Sequence, residues 1–475
     1  MTTVGRRDFL GLGAAFAALG VTAARGATAG GAKGKCRLTA GVFTDLHMTK
    51  DPRSGEIVEK ALRYFVRNGA EAVLCTGDFT DYGLDEEMVH LTNAWAKVFP
   101  GGVNARGRTV ERVFITGNHD VGVQGSTGKD GVAIRRTELF GEPIVPFFVK
   151  KVNGITFLCQ NWCVGSNEEM IAYVRAHADE LRRERVFFHL KHSHLRNTIR
   201  YAWVTDDGKV TEVLRDFPNC VSLSGHSHWP LVDERSLWQG EFTAVNCGHM
   251  RYCDVGAGRE NAQPLGIRSD ETQAMEQFAR VNEAQCAMMM RVYDNAIVFE
   301  RWDVKGDRKL GDDWVVPWPI SRGSVSYETR AAALPAPQFA RDAKVSVRFG
   351  KGKNRAHRME DQVFVEFPNC RRADGSPARA LDFEVAIQER LGDALRIRCS
   401  RRFYSPGFFR AEADDVGQVT CAFHLSDLPT APTINDGPER ITLSYRFLVT
   451  PWGGFGKAGE PIASDWTDLK GTYEK

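Results

Sequence analysis

The chain has 475 residues, of which 43% are hydrophobic, enough for a large buried core and for two domains. Its 62 basic and 60 acidic residues leave a formal net charge of +2, and no long tract of one sign occurs. The sequence therefore gives no strong signal for nucleic acid as the main partner. Eleven cysteines cannot all pair, and the sequence selects no disulfide.

The N-terminal segment predicts export. Gly5-Arg6-Arg7-Asp8-Phe9-Leu10 precedes an apolar run, rich in Ala and Gly, that ends near Ala24. This resembles a twin-arginine signal, although Gly5 stands where Ser or Thr is usual. A membrane anchor is the alternative, but the run falls short of the ~20 residues that a spanning helix needs. We expect a signal over residues 1–29, a periplasmic or secreted protein, and no membrane span in the mature chain.

Strand and helix patterns then alternate, which predicts a layered α/β architecture. The predicted strands are Leu38–Phe43, Ala72–Cys75, Arg112–Ile115, Ile155–Cys159, Val186–Phe188 and Val221–Leu223. The predicted helices are Glu56–Val66, Glu86–Val98, Glu168–Glu184 and Val210–Asp216. Three further strands are predicted at Phe242–Val245, Cys286–Tyr293 and Ala296–Asp303, and we expect them to complete a second sheet.

Five short motifs with oxygen or imidazole side chains occur in this region, and all but one directly follow a predicted strand. They are Asp45-Leu-His47, Gly77-Asp78-Phe-Thr-Asp81, Gly117-Asn118-His119-Asp120, His192 and Gly225-His226-Ser-His228. The carboxyl ends of strands in an α/β sheet lie at the edge where ligands bind. Carboxylate, amide and imidazole donors suit hard-to-borderline metal ions, and seven donors are too many for one ion. The sequence thus predicts two metals that share a bridging carboxylate.

The order of these motifs resembles the calcineurin-like metallophosphoesterases, whose signature is D-x-H, G-D-x-x-D, G-N-H-D, a strand-end His and G-H-x-H. The resemblance spans roughly Cys36 to Asp303. It implies a four-layer α/β/β/α sandwich, which we place at residues 36–320. It also implies that Asp45, His47 and His228 bind one metal, that Asn118, His192 and His226 bind the other, and that Asp78 bridges them. Iron, manganese and zinc all fit such donors.

His119 has a different role by the same resemblance. Its imidazole would face the substrate and stabilise or protonate the departing oxygen, while Asp120 would hold and polarise that imidazole. The alternatives are a structural histidine and a carboxylate that caps a turn. Asp81 stands where purple acid phosphatases carry a tyrosine ligand, so we expect it to orient a ligand or to close a turn.

The fourth motif leaves a choice among three histidines. His189, His192 and His194 follow one another closely where the family usually has His-His-Pro or His-x-Pro. The stretch from Lys191 to Thr198 looks like the Q-H-x-H-x-x-x-T variant of exported bacterial members, which selects His192 as the ligand. His189 is then a residue within the strand, and His194 takes the place of the usual proline.

The last third of the chain has a different composition and a different hydrophobic pattern. Ala331–Pro337 is rich in Ala and Pro and is interpreted as a linker. Beyond it, apolar and polar residues alternate without helical patterns, as at Phe383, Val385 and Ile387. This predicts a small all-β domain at residues 338–475, an immunoglobulin- or fibronectin-like sandwich. No cluster of catalytic residue types occurs there.

The predicted function is a metal-dependent hydrolase of phosphate esters that uses a metal-activated hydroxide at a dinuclear centre. A non-catalytic module that binds metal or a partner on the same fold is the alternative from another class. Within the enzyme class, a monoesterase such as a nucleotidase or protein phosphatase stands beside a phosphodiesterase. The expected partner is a small-molecule or exposed phosphate ester; the sequence does not identify the ester, the metals or the oligomeric state.

Overall fold

The structure is a computed structural model of the chain. It describes residues 34–120, 145–162, 165–199, 206–255, 279–281, 285–353, 358–370, 380–405, 417–430, 433–434, 442–470 and 472–473. The export signal predicted over residues 1–29 lies outside the described residues. Among the helices that are described, none is both long enough and apolar enough to cross a membrane.

The helices and strands of the first two thirds of the chain are numbered in chain order. The strands are β1 (Cys36–Phe43), β2 (Ala72–Cys75), β3 (Glu111–Phe114), β4 (Phe147–Val152), β5 (Ile155–Gln160), β6 (Phe187–Lys191), β7 (Cys220–Ser224), β8 (Leu237–Gln239), β9 (Thr243–Asn246), β10 (Cys253–Val255), β11 (Ala279–Val281), β12 (Cys286–Tyr293), β13 (Ala296–Asp303), β14 (Arg308–Lys309) and β15 (Trp314–Pro317). The helices are α1 (Ser54–Arg67), α2 (Asp85–Val98), α3 (Ser166–Ala176), α4 (Ala178–Arg183), α5 (Lys209–Leu214) and α6 (Tyr327–Ala333).

Two mixed sheets form the centre of this region. The first sheet has the order β14-β13-β12-β1-β2-β3, with β15 paired to β13, and its β1, β2 and β3 are parallel. The second sheet has the order β4-β5-β6-β7-β9-β8, in which β5, β6, β7 and β9 are parallel. In each sheet the parallel strands thus point their carboxyl ends to one edge.

The hydrophobic cores show how these elements are layered. One core lies between the sheets and joins Val42 and Leu74 of the first sheet to Phe157 and Leu190 of the second. A second core packs α1 and α2 against the other face of the first sheet, and a third packs α3, α4 and α5 against the second sheet. The four-layer α/β/β/α architecture predicted from the sequence is confirmed.

The helix predicted as Glu168–Glu184 is interrupted. The structure has α3 and α4 with His177 between them, whose φ of −114° and ψ of 20° are not helical. The backbone N–H and the ring Nδ1–H of His177 both donate to the carbonyl oxygen of Tyr173, at 3.0 Å each, which closes the first helix. Apolar periodicity continues across this break, so the sequence pattern did not reveal it.

The remainder of the chain is all β. Its strands are β16 (Ser346–Lys353), β17 (Met359–Pro368), β18 (Asp382–Leu391), β19 (Ala394–Tyr404), β20 (Gln418–His424), β21 (Thr433–Ile434), β22 (Thr442–Trp452), β23 (Ile462–Ala463), β24 (Thr467–Lys470) and β25 (Thr472–Tyr473). One sheet has the order β16-β17-β20 and the other β19-β18-β22-β23, with β24 also paired to β22. Val365 and Phe367 of one sheet pack against Phe383 and Val385 of the other. This is the predicted β-sandwich.

The segment Ala331–Pro337, interpreted from its composition as a linker, begins inside a helix. Residues 331–333 form the last turn of α6, whose N-terminus is capped by the Ser326 hydroxyl, which accepts from the backbone N–H of Thr329 at 3.2 Å. Ala331 is buried against Tyr327 and Phe455. The linker interpretation is therefore wrong for Ala331, which packs in a helix, whereas Ala332 and Ala333 of the same turn are exposed.

Candidate metal centre

The five sequence motifs meet at the carboxyl ends of the parallel strands of both sheets. Asp45 and His47 follow β1, Asp78 follows β2 and Asn118 follows β3 in the first sheet. From the second sheet, His192 follows β6 directly, and the turn after β7 carries the remaining two donors, His226 and His228. The centre therefore lies where the ends of the two sheets face each other, as expected for open α/β sheets.

One group of donors contains Asp45, His47 and His228, whose ligand atoms all lie within 4.8 Å of one another. The Nε2 atoms of His47 and His228 are 3.1 Å apart, and His228 Nε2 is 3.1 Å from Asp45 Oδ1. All three side chains are buried. Two ring nitrogens and a carboxylate that converge on one point form the arrangement that a shared cation requires.

The second group contains Asp78, His192 and His226, again within 4.8 Å. His192 Nε2 lies 3.1 Å from Asp78 Oδ2 and 3.1 Å from the side-chain oxygen of Asn118. The same Asp78 oxygen is 3.6 Å from Nε2 of His47, which belongs to the first group. Asp78 thus lies between the two groups, and the structure brings all seven predicted donors together.

The backbone of these donors adopts a conformation that L-residues avoid. Positive φ angles occur at Asp45 (51°), His47 (40°), Asp78 (54°), His226 (65°) and His228 (51°). A non-glycine residue with positive φ costs free energy, so such residues persist only where their surroundings impose the conformation. Five of them in one cluster indicate that these turns are shaped by the site.

The protonation states of several donors suit metal binding. Burial raises the pKa of Asp45, but His228, His192 and His47 outweigh it and hold that pKa well below its ordinary value. Burial likewise opposes ionisation of Asp78, yet His192 and His47 lower its pKa to about 2. Burial lowers the pKa of His226 to about 3. Near neutral pH these groups are therefore carboxylates and a neutral imidazole, the forms that bind metals.

His192 and His228 show the opposite balance. Burial lowers the pKa of His192, but the carboxylates of Asp78 and Asp45 outweigh it and raise that pKa to about 9. Burial also lowers the pKa of His228, and Asp45 raises it above its ordinary value. Each carboxylate thus attracts a positive charge to its neighbouring imidazole. A metal cation in the same place satisfies the same carboxylates, so the donor set fits metal ions.

Three of the imidazoles are held through their other ring nitrogen. His192 Nδ1–H donates to the carbonyl of Thr76 at 2.8 Å and His228 Nδ1–H to that of Tyr252 at 2.9 Å. His47 Nδ1–H donates to Asp81 Oδ1 at 3.1 Å. Such contacts fix the tautomer and leave Nε2 as the nitrogen available to a metal. Orientation of a ligand, one of the two roles expected of Asp81, is what this contact provides.

His119 lies beside the first group but is held differently from the prediction. Its Nδ1–H donates to the backbone carbonyl of Asp81 at 2.7 Å, and its ring centre is 4.6 Å from that of His47. The predicted contact from Asp120 is wrong. The Asp120 carboxylate instead accepts from the Thr80 backbone N–H at 3.0 Å, the Thr80 hydroxyl at 2.9 Å and the Gly117 N–H at 2.9 Å.

Asp120 therefore closes the turn that carries Asn118 and His119. It is fully buried, and burial, with a smaller contribution from Asp78, raises its pKa to about 6. A backbone carbonyl can orient an imidazole as well as a carboxylate can, and that leaves the Asp120 side chain to satisfy backbone N–H groups. Sequence adjacency gave no information on this choice, because His119 and Asp120 point in different directions along the turn.

The structure distinguishes the three histidines of the fourth motif. His192 joins the donor cluster, whereas His189 lies within β6 and contacts Ser222 and Gln160. His194 is buried, and burial lowers its pKa to about 3. His249, which follows β9, is buried, and its ring centre lies 6.4 Å from that of His228.

Two aromatic rings flank the centre. Trp162 has its ring centre 5.9 Å from that of His192 and 5.8 Å from that of His226. Tyr252 stacks on His228 at 4.1 Å on the other side. The sequence gave no signal for Tyr252, since it belongs to none of the motifs.

The first two thirds of the chain thus form a mixed α/β sandwich with acidic, amide and imidazole donors gathered at its strand ends. Residues 38–236 match the calcineurin-like phosphoesterase family, so this part of the chain is a calcineurin-like phosphoesterase domain. No curated protein sequence matches the chain.

Several solved structures are similar to the chain. A dimetal phosphatase from Danio rerio is 11% identical, over 60% of this chain and 100% of its own, with a TM-score of 0.33. A predicted phosphoesterase from Streptococcus pneumoniae is 14% identical, over 59% and 97%, with a TM-score of 0.26. The sulfate thiohydrolase SoxB from Thermus thermophilus is 13% identical, over 63% and 60%, with a TM-score of 0.26. The family assignment rests on the sequence match and not on these structures.

Proposed function

We propose that this protein is an exported phosphoesterase that hydrolyses a phosphate mono- or diester at a centre of two metal ions. The observation that carries the proposal is the position of Asp78, whose Oδ2 lies 3.1 Å from His192 and 3.6 Å from His47. One carboxylate within reach of both donor groups is the mark of a paired-metal site. We assign the two ions to the donors Asp45, His47, His228 and Asn118, His192, His226, with iron, manganese or zinc as the metals.

Metals bound there would make hydroxide available near neutral pH and would stabilise the charge on the phosphate. The residues of the chain supply the rest. Because His119 Nδ1–H donates to the Asp81 carbonyl, Nε2 is the ring nitrogen left for the departing oxygen, to which it gives a proton when His119 is an imidazolium with a proton on each nitrogen. His119 is also held by its backbone N–H, which donates to Asp78 Oδ1 at 2.9 Å. The acid is therefore fixed to the same carboxylate that joins the two donor groups.

The experiment combines metal analysis with hydrolysis of chromogenic esters. The purified full-length protein is assayed for bound iron, manganese and zinc, and for hydrolysis of p-nitrophenyl phosphate and bis-p-nitrophenyl phosphate. We expect Asp78→Asn to lose both metal and hydrolysis. His119→Ala should retain metal and lose turnover by roughly 10²–10⁴-fold, the usual contribution of a positioned general acid.

His177→Ala is the matched control, since His177 is a partly buried histidine outside the donor cluster. It should retain both metal and turnover. Full hydrolysis by Asp78→Asn would contradict the proposal, and so would a metal-loaded wild-type protein that cleaves neither ester. The second result would favour the non-catalytic binding module. The ratio of activities on the two esters decides between a monoesterase and a phosphodiesterase.

Export through the twin-arginine route is part of the proposal and rests on the sequence of the N-terminus alone. Arg6 and Arg7 precede the apolar run, and this route carries folded proteins, which suits an enzyme that takes up metals before crossing. Replacement of both arginines by lysine should leave the full-length precursor inside the cell. Continued appearance of the processed protein outside would rule the route out.

A further inference from the structure

The turn that carries His226 and His228 continues towards the C-terminal part of the chain. We call residues 225–236, between β7 and β8, the ligand loop. All of its residues are buried except His226 and Glu234, which are partly exposed. The loop ends in a 3-10 turn at Glu234–Ser236. A buried loop without regular structure needs specific partners for its polar groups.

Hydrogen bonds connect Trp229 to the last residues of the ligand loop. The indole N–H of Trp229, the residue after His228, donates to Asp233 at 2.9 Å. Asp233 also accepts from the Arg235 guanidinium at 2.7 Å. The side-chain amide of Asn246 donates to the Trp229 carbonyl at 2.9 Å. Displacement of the 3-10 turn would therefore be transmitted to Trp229 and to the imidazole beside it.

Two side chains of helix α6 donate hydrogen bonds to backbone carbonyls at the end of the ligand loop. The Tyr327 hydroxyl donates to the carbonyl of Arg235 at 2.7 Å. The Arg330 guanidinium donates to the carbonyls of Glu234 and Leu237. Three carbonyls around the turn thus accept from two side chains of one short helix.

Phe455 of the C-terminal sandwich packs against this helix. Phe455, in the turn after β22, has its ring centre 5.4 Å from that of Tyr327, and the Arg330 guanidinium lies 5.1 Å from the Phe455 ring. Phe455 is 2% exposed and has a φ of +61°, a conformation that costs free energy and is retained where contacts impose it. Tyr327, Ala331 and Phe455 form a hydrophobic cluster of their own.

We propose that the C-terminal sandwich positions the ligand loop through Phe455, Tyr327 and Arg330, and thereby sets the affinity of the candidate metal centre. His228 belongs to one donor group and His226 to the other, so the loop affects both ions. Residues that orient metal ligands from behind commonly change metal affinity by 10- to 100-fold when they are removed. The inference rests on the proposed function only in requiring that the centre binds metal.

The test uses the full chain, stripped of metal with a chelator. Mn²⁺ binding is measured by equilibrium dialysis, and hydrogen exchange is measured for the amides of residues 229–236. Phe455→Ala should bind Mn²⁺ about tenfold or more weakly and should exchange faster in the ligand loop, while exchange in the central sheets is unchanged. Tyr327→Phe, which removes only a hydroxyl, should show a smaller change in the same direction.

Phe349→Ala is the matched control, because Phe349 is an aromatic residue of the same sandwich that is 62% exposed. It should behave as the wild type. If Phe455→Ala binds Mn²⁺ with wild-type affinity, the inference is overturned. If Phe455→Ala does not fold, Tyr327→Phe decides, and unchanged affinity there overturns it equally. A wild-type protein that binds no Mn²⁺, iron or zinc defeats the proposed function and this inference together, whereas the preceding outcomes defeat this inference alone.

Discussion

Buried histidines in this domain have two kinds of neighbour. Those of the candidate centre face carboxylates, which outweigh burial at His192 and raise its pKa to about 9. His189 instead contacts the Ser222 hydroxyl at 2.9 Å and the side-chain oxygen of Gln160. Burial lowers the pKa of His189 to about 3, with Lys191 adding to the effect and Asp206 opposing it. His192 and His189 are equally buried, so the charge of their partners accounts for the difference between these two imidazoles.

The state of His189 predicts part of the acid sensitivity of the protein. Folded His189 stays neutral down to a pH of about 3, whereas in the unfolded chain it binds a proton below about 6.5. Between these values the unfolded state binds more protons, so the free energy of unfolding falls as the pH falls, by up to about 1.4 kcal/mol per pH unit from this residue. His189→Gln should remove this contribution. Urea unfolding of the metal-free variant and wild type from pH 7 to 4 gives the free energy of unfolding at each pH. The same pH dependence of this free energy in both proteins would contradict the prediction.

The donor residues could be read from the sequence because each motif keeps its donors at a fixed spacing after a strand. The contacts of His119 and Asp120 could not be read in this way. Whether an imidazole is held by a side chain or by a carbonyl depends on the path of a turn. Here the backbone carbonyl of Asp81 accepts a hydrogen bond from His119, and the carboxylate of Asp120 accepts one from the Thr80 hydroxyl. Spacing identifies which residues are near one another, but it does not identify which atoms meet.

At the level of secondary-structure elements, the glycines of the motifs let the ligand-bearing turns come close together. A Cβ on Gly77, whose φ is +109°, would lie 2.6 Å from His192 Nδ1. A Cβ on Gly117 would overlap Asp78, and one on Gly225 would overlap Thr44 and stand 2.5 Å from Asp45 Oδ2. Three motif glycines thus face ligand residues of other turns. The close approach of backbones, more than turn conformation alone, explains why glycine occupies these positions.

Gly225→Ala should therefore lower the metal affinity of the centre, although Gly225 is not itself a donor. The added methyl group would push Asp45 from its place, where it also accepts from the His226 backbone N–H at 2.9 Å. We expect metal affinity to fall by about tenfold or more, as for loss of other supporting contacts. Equilibrium dialysis with Mn²⁺ measures the change. Gly417→Ala, at a site with open space around the Cβ, is the control, and equal binding by both variants would refute this reading.

Most of the elements themselves followed from hydrophobic patterning. The predicted strands Ala72–Cys75, Cys286–Tyr293 and Ala296–Asp303 coincide with β2, β12 and β13. The expectation that the last two complete a second sheet is wrong, because β12 pairs with β1 and both β12 and β13 belong to the first sheet. The edge strand β4 was missed, since Phe147–Val152 is only partly buried and has little apolar contrast. Short strands such as β8 were missed as well, because three residues carry too little periodicity to distinguish a strand from a loop.

At the scale of the whole molecule, the layers were predictable but their contacts were not. Alternation of strands and helices predicts two sheets covered by helices, and clean alternation later in the chain predicts a sandwich. The contact of Phe455 with Tyr327 joins the two regions, and neither residue belongs to a pattern. Contacts between two regions with separate hydrophobic cores depend on the shape of their surfaces, which local sequence patterns do not describe.

Metal removal should lower the stability of the region that carries the candidate metal centre. Without metal, the five donor residues with positive φ remain as a cost of folding. Metal at about 100 times its dissociation constant would add about 2.7 kcal/mol to the free energy of unfolding, or about 5–10 °C in Tm for a domain of this size. Calorimetry of chelated and Mn²⁺-reloaded protein measures this difference. Asp78→Asn should show little response to Mn²⁺, since it lacks the shared carboxylate. An unchanged Tm on reloading of the wild type would mean that the clustered donors are held in place by the fold alone.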